Sequence, residues 1–163
     1  MRARTLALAA ALASAALAPA RTPARDPARP LGFTVSADLG GGAELGSNGS
    51  TGLFEMELTA CYHVGKGFSP ELSFVLGLDP GTYFAIRPGL HYAFQETPFY
   101  LRVAFDAGSP GGDMHWRWLL AGGGVELRMT DVVGGYVEID LGVPLSASNG
   151  VPLLARAGVF LSF

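Results

Sequence analysis

The chain has 163 residues, 49% of them hydrophobic and only 15% charged, with a formal net charge of −3. Soluble domains carry roughly a quarter charged residues and scatter lysines over their surface, whereas this chain has a single lysine, Lys66. The acidic balance excludes a basic nucleic-acid footprint, and the single cysteine, Cys61, excludes an internal disulfide framework.

Met1-Arg-Ala-Arg4 is a short positive segment, followed by an apolar run from Leu6 to Ala18 and the small-x-small sequence Ala18-Pro19-Ala20. This order predicts a secretory signal peptide over residues 1–20. The run is shorter than the roughly 20 apolar residues a membrane helix needs. No cysteine follows it, which argues against a lipoprotein anchor. Residues 21–30, RTPARDPARP, have no periodicity and read as a flexible periplasmic leader. About 143 residues remain after the cut, the size of one domain. No later stretch approaches a transmembrane helix. An exported hydrophobic chain without one points to a β-barrel, the other way of satisfying every backbone group in lipid.

Residues 31–163 divide into eight alternating segments. The first strand is expected over 31–39, then a Gly/Ser/Asn-rich loop over 40–51. The second, 52–64, alternates most clearly: Phe54, Met56, Leu58, Ala60, Tyr62 and Val64 on one face, Glu55, Glu57, Thr59, Cys61 and His63 on the other. Gly65-Lys66-Gly67 turns into the third, 68–78, and Asp79-Pro80-Gly81 into the fourth, 82–94. Residues 95–98 turn into the fifth, 99–107, and a second Gly-rich loop covers 108–115. The sixth strand spans 116–129, the seventh 132–143, and the last 151–163. Pro88 lies mid-strand, where it cannot donate to a ladder, so a bulge is expected at Pro88-Gly89. Trp118 and Leu120 fall on the polar face beside Gly122 and Gly124. Either the register shifts at those glycines or the two side chains plug the interior.

Alternation alone does not say which face is outside, since a soluble barrel and a membrane barrel are inverses of each other. The apolar faces carry no mid-strand charge. The opposite faces carry Asp38, Glu55, Glu57, Glu71, Asp106, Glu126, Glu138 and Asp140 with Arg87, Arg102, Arg128 and Arg156. A lipid-facing charge costs roughly 2–4 kcal/mol at the bilayer midplane, so a charge-free face is what lipid would impose. By parity Arg117 is the exception, expected at a strand end where it could meet lipid phosphates. With the N-terminus periplasmic, Phe33, Tyr62, Tyr92, Phe94, Phe99 and Phe163 fall near one rim and Phe54, Phe84 and Phe105 near the other, as two aromatic girdles do.

The chain ends Arg156-Ala-Gly158-Val-Phe-Leu161-Ser-Phe163. This resembles the C-terminal assembly signal of bacterial outer-membrane barrels: a polar residue, a glycine two later, then hydrophobic residues ending on a terminal aromatic. Arg156, Gly158, Leu161 and Phe163 fill the four places. Together with the strand pattern, residues 31–163 resemble the small eight-stranded outer-membrane barrels of the OmpA/OmpX type, with no appended periplasmic domain. The resemblance implies an all-β, up-and-down antiparallel transmembrane barrel in the cell outer membrane of a Gram-negative-type bacterium. Outer-membrane lipid and lipopolysaccharide would surround it, and the barrel-assembly machinery would recognise it. It is expected to be a monomer.

An eight-stranded barrel has an interior just wide enough for side chains, so charges there should pair. The predicted lumen network is Glu55, Glu57, Glu71, Arg87, Arg102, Asp106, Glu126, Arg128, Glu138, Asp140 and Arg156. Hairpin geometry suggests His63 beside Glu71, Arg102 beside Glu126 and Asp140 facing Arg156. The function expected is structural or surface-interactive, with the lumen closed. The alternatives are a narrow cation-preferring pore and a secreted soluble barrel holding an apolar ligand. Ser109, Asp113 and His115 are the only loose hydrolase candidates, and nothing brings them into register. His63 and His91 have no metal-ligand spacing, and Gly40-Gly41-Gly42 lacks the Lys-Ser/Thr ending of a phosphate loop. No enzyme activity, metal or cofactor is expected.

Overall fold

The computed structural model describes residues 32–47, 49–109, 111–146 and 150–163. The expected signal peptide and leader, with Leu31, lie outside the described residues. Eight strands follow in order: β1 (Gly32–Gly46), β2 (Gly49–His63), β3 (Phe68–Asp79), β4 (Tyr83–Ala93), β5 (Phe99–Gly108), β6 (His115–Arg128), β7 (Val133–Pro144) and β8 (Val151–Ser162). Each pairs antiparallel with the next and β8 pairs with β1, so the sheet closes into a barrel with no free edge. The seam runs from Thr34↔Ser162 to Leu45↔Val151. Phe33 and Phe163 extend it by exchanging both backbone hydrogen bonds, at 3.2 and 2.8 Å. No helix among the described residues is long and apolar enough to cross a membrane.

Gly32, the first described residue, Phe163 and the connections after β2, β4 and β6 lie at one end, here the turn end. The connections after β1, β3, β5 and β7 lie at the other, the loop end. Strand alternation sends Leu58, Phe74, Phe84 and Ile139 outward, all more than half exposed. The same alternation buries Glu57, Ser73, Arg87 and Asp140 between them and the barrel axis. A slip of one residue would invert every strand, so the charges inside and the aliphatic belt outside fix the register together. The predicted girdle rings Phe33, Tyr62, Phe94, Phe99 and Phe163 are exposed at the turn end, and Phe54, Phe84 and Phe105 toward the loop end. Trp116 joins the second group, edge-on to Phe105 with centroids 6.0 Å apart.

Two expectations are corrected and one open alternative is decided. First, residues 40–51 are not a loop: β1 and β2 continue as a paired ribbon to Gly46↔Gly49. The glycines answer to the neighbouring strand rather than to a strand exit. A Cβ on Gly42 would lie 1.9 Å from the Leu153 carbonyl oxygen, and one on Gly40 would lie 2.8 Å from Arg156 Cγ. Second, no bulge forms at Pro88-Gly89. The β4–β5 register is the same at Ile86↔Ala107 and Gly89↔Ala104, and the ladder merely skips Arg87 and Pro88. Leaving the pair unmade there accommodates the missing proline N–H without bending the strand. On the alternative left open for β6, no register shift occurs at its glycines. The β5–β6 register breaks between Asp106↔Trp118 and Ala107↔Trp116, leaving Arg117 as the extra residue. The β6–β7 register is unbroken through Gly122↔Asp140 and Gly124↔Glu138. These glycines make room, since a Cβ at Gly122 would lie 2.0 Å from Asp140 Oδ1 and one at Gly124 2.5 Å from the Tyr100 hydroxyl.

Candidate functional site in the barrel lumen

The lumen is filled in three levels. Toward the loop end, Trp118, Leu120, Leu53 and Leu154 form a buried apolar cluster. The Trp118 indole N–H donates to the Gly150 carbonyl at 3.0 Å, so the ring has its polar partner in the β7–β8 connection. Val75, Tyr83 and Ala85 form a second cluster at this level. Of the two sequence alternatives for Trp118 and Leu120, plugging the interior is the one realised.

Arg117 also turns inward, contrary to its parity. The one-residue bulge at its position puts two consecutive residues, Arg117 and Trp118, inside. Its guanidinium lies over the Tyr83 and Trp118 rings, 4.2 and 4.1 Å from their centroids, and its Nε donates to Asp106 at 2.6 Å. It does not reach lipid phosphates. No feature of the local sequence announces the bulge, which is why alternation misplaced this residue.

The middle level is ionic. Arg87, fully buried, donates from Nη1 to Glu55 at 2.6 Å and Glu57 at 2.5 Å, from Nη2 to Glu55 at 2.8 Å, and from Nε to Asp106 at 2.6 Å. Arg102 donates to Glu71, to Glu57 at 2.5 Å, and to Glu138 and Ser73 at 3.0 Å. Arg156 donates to Glu57 at 2.9 Å and Glu138 at 3.2 Å, and its Nη2 is 2.6 Å from Asp140. Glu57 therefore joins three guanidinium groups, and Asp106 joins Arg87 to Arg117. Planar guanidinium forks suit such shared carboxylates.

Nine of the predicted network residues thus meet at this level: Glu55, Glu57, Glu71, Arg87, Arg102, Asp106, Glu138, Asp140 and Arg156. Glu126 and Arg128 sit lower, half-buried at the turn-end mouth. There Glu126 lies 3.5 Å from His91 Nε2, and Arg128 donates to the Asp131 carbonyl at 3.4 Å. The expected Arg102–Glu126 level is corrected: Arg102 is opposite Gly122, while Glu126 is opposite Tyr136. His63 hydrogen-bonds Ser69 at 2.6 Å and Thr34 at 2.8 Å, and the residue across from Glu71 is Cys61. Asp38, outside the predicted network though on its face, accepts a hydrogen bond from Tyr136 at 2.5 Å.

The third level is a polar vestibule open at the turn end, lined by Thr34, Thr59, Cys61, His63, His91, Tyr100, Glu126, Arg128, Tyr136, Phe160 and Ser162, with Arg102 and Glu138 as its floor. Summed over all levels, lumen carboxylates outnumber arginines. The loose hydrolase trio does not assemble: Ser109 donates to the Phe84 carbonyl at 3.3 Å, and His115 meets the Asp113 backbone carbonyl rather than its carboxylate. Among the described residues no group of three His, Cys, Asp or Glu side chains is placed to hold a metal ion.

No protein-family model matches the chain, and no curated protein matches it. Solved structures do. Neisserial surface protein A is 16% identical with a TM-score of 0.56, covering 80% of this chain and 95% of its own. The N-terminal β-barrel domain of Pseudomonas aeruginosa OprF is 13% identical with a TM-score of 0.60, covering 80% and 97%. The attachment invasion locus protein Ail of Yersinia pestis, solved with the heparin analogue sucrose octasulfate, is 14% identical with a TM-score of 0.51, covering 82% and 99%. At these identities the likeness is one of fold: the chain has the closed eight-stranded architecture of small outer-membrane barrels.

Proposed function

We propose that this chain is an integral protein of a bacterial outer membrane with a structural or surface-interacting role and a closed lumen, and that it is not an enzyme. The observation that carries the reading is inverted burial. Glu55, Arg87 and Asp106 are 0% exposed, while Phe84 is 64% and Ile139 62% exposed. An apolar belt around a whole barrel far exceeds the few hundred Å² that soluble monomers tolerate, and lipid is the solvent that covers it. The turn end, with its short connections, would face the periplasm, and lipopolysaccharide would surround the loop end. Closure of the sheet leaves no strand edge for pairing, which supports a monomer.

The excess of carboxylates favours a cation-preferring pore as the second reading. Against it stands the Trp118 cluster, which fills the loop half of the lumen above the ionic level. The two readings part in one experiment. The purified protein is expected to fractionate with outer membranes, to migrate differently in gels before and after heating, and to give no discrete conductance in planar bilayers. A steady cation-selective conductance would replace the closed lumen with the pore, and recovery in the soluble periplasm would remove both.

Ail was solved with a sulfated heparin analogue, and the loop end of this chain is unsuited to such a ligand. Glu44, Asp79 and Asp113 lie there. Lys66 and Arg128 are at the turn end, and Arg87, Arg102, Arg117 and Arg156 are buried in the lumen. Polyanion binding draws on clustered exposed cations. Cells overproducing this chain are therefore expected to gain no heparin binding at about 0.15 M salt, where unpaired surface charges are screened beyond roughly 8 Å. Saturable binding that follows expression would show that another surface recognises sulfated glycans.

A further inference from the structure

We draw no further inference here: the strongest candidate, the polar vestibule around His91 at the turn end of the lumen, belongs to the site already described, its Phe160 and Tyr100 rings already face its own Arg128 and His91, and nothing in the structure shows what else would occupy it.

Discussion

Replacing Arg87 with alanine is expected to destabilise the refolded barrel by about 3–5 kcal/mol, the range seen when one partner of a buried ion pair is removed. Three carboxylates would lose their shared cation: Glu55, held by two guanidinium nitrogens, Glu57, and Asp106. The sign of the lumen imbalance adds to the loss, because the variant leaves still more negative charge unmatched. Position adds a second term. Arg87 and Pro88 are where the β4–β5 ladder lapses, and the Arg87 Nε bond to Asp106 ties the two strands together there. Glu57→Gln separates these contributions. Glutamine keeps one acceptor oxygen and reduces the acid excess, so its expected cost is about 1–2 kcal/mol even though Glu57 touches three arginines. Urea titrations in one detergent or vesicle system would measure both, with exposed Glu96→Gln as a reference expected within about 0.5 kcal/mol. If Glu57→Gln cost as much as Arg87→Ala, the net charge of the lumen would not be what sets these energies.

The pattern of legibility follows from what each physical signal can carry. Strand existence and facing were readable because burial of one face forces a period of two. Glu57 between Met56 and Leu58 repeats that signal with neighbours on both sides. The inside of the barrel was readable because one face of the strands is free of mid-strand charge, as the proposed lipid contact would require. The glycine run Gly40-Gly41-Gly42 was misread as a loop because glycine's two uses leave the same residue in the sequence. Here the use is close approach to Arg156 and Leu153 across the seam. Arg117 was misread because one inserted residue reverses parity beyond it, and the bulge is a property of the β5–β6 pairing rather than of either strand alone. The Arg102–Glu126 pairing failed for a related reason. Heights across a barrel depend on the stagger of every intervening strand, and Arg102 came level with Gly122 instead.

The four residues of the C-terminal pattern divide by structural role, and the division predicts different failures. Arg156 is buried in the ionic level, bonded to Glu57 and Glu138. Gly158 lies where a Cβ would come within 2.6 Å of both the Ala37 carbonyl oxygen and Asp38 Cβ across the closing seam. Any larger residue there must push β1 and β8 apart, so Gly158→Leu should impair folding in detergent and insertion in cells alike. Leu161 and Phe163 have no such duty. Both side chains point outward, Phe163 being 68% exposed, and the Phe163 contribution to the seam is made by its backbone. Phe163→Ala preserves that backbone. It should leave the stability of the refolded barrel within about 1 kcal/mol, since an already exposed ring loses little burial on removal. The same substitution should strongly reduce the amount inserted in cells, measured as heat-modifiable protein in outer-membrane fractions. A matched loss in both assays would make the terminal ring a packing element. A loss confined to cells would make it a feature read by the assembly machinery before the barrel closes. The folded protein gives the ring almost nothing to hold, so the refolded barrel is expected to tolerate its loss.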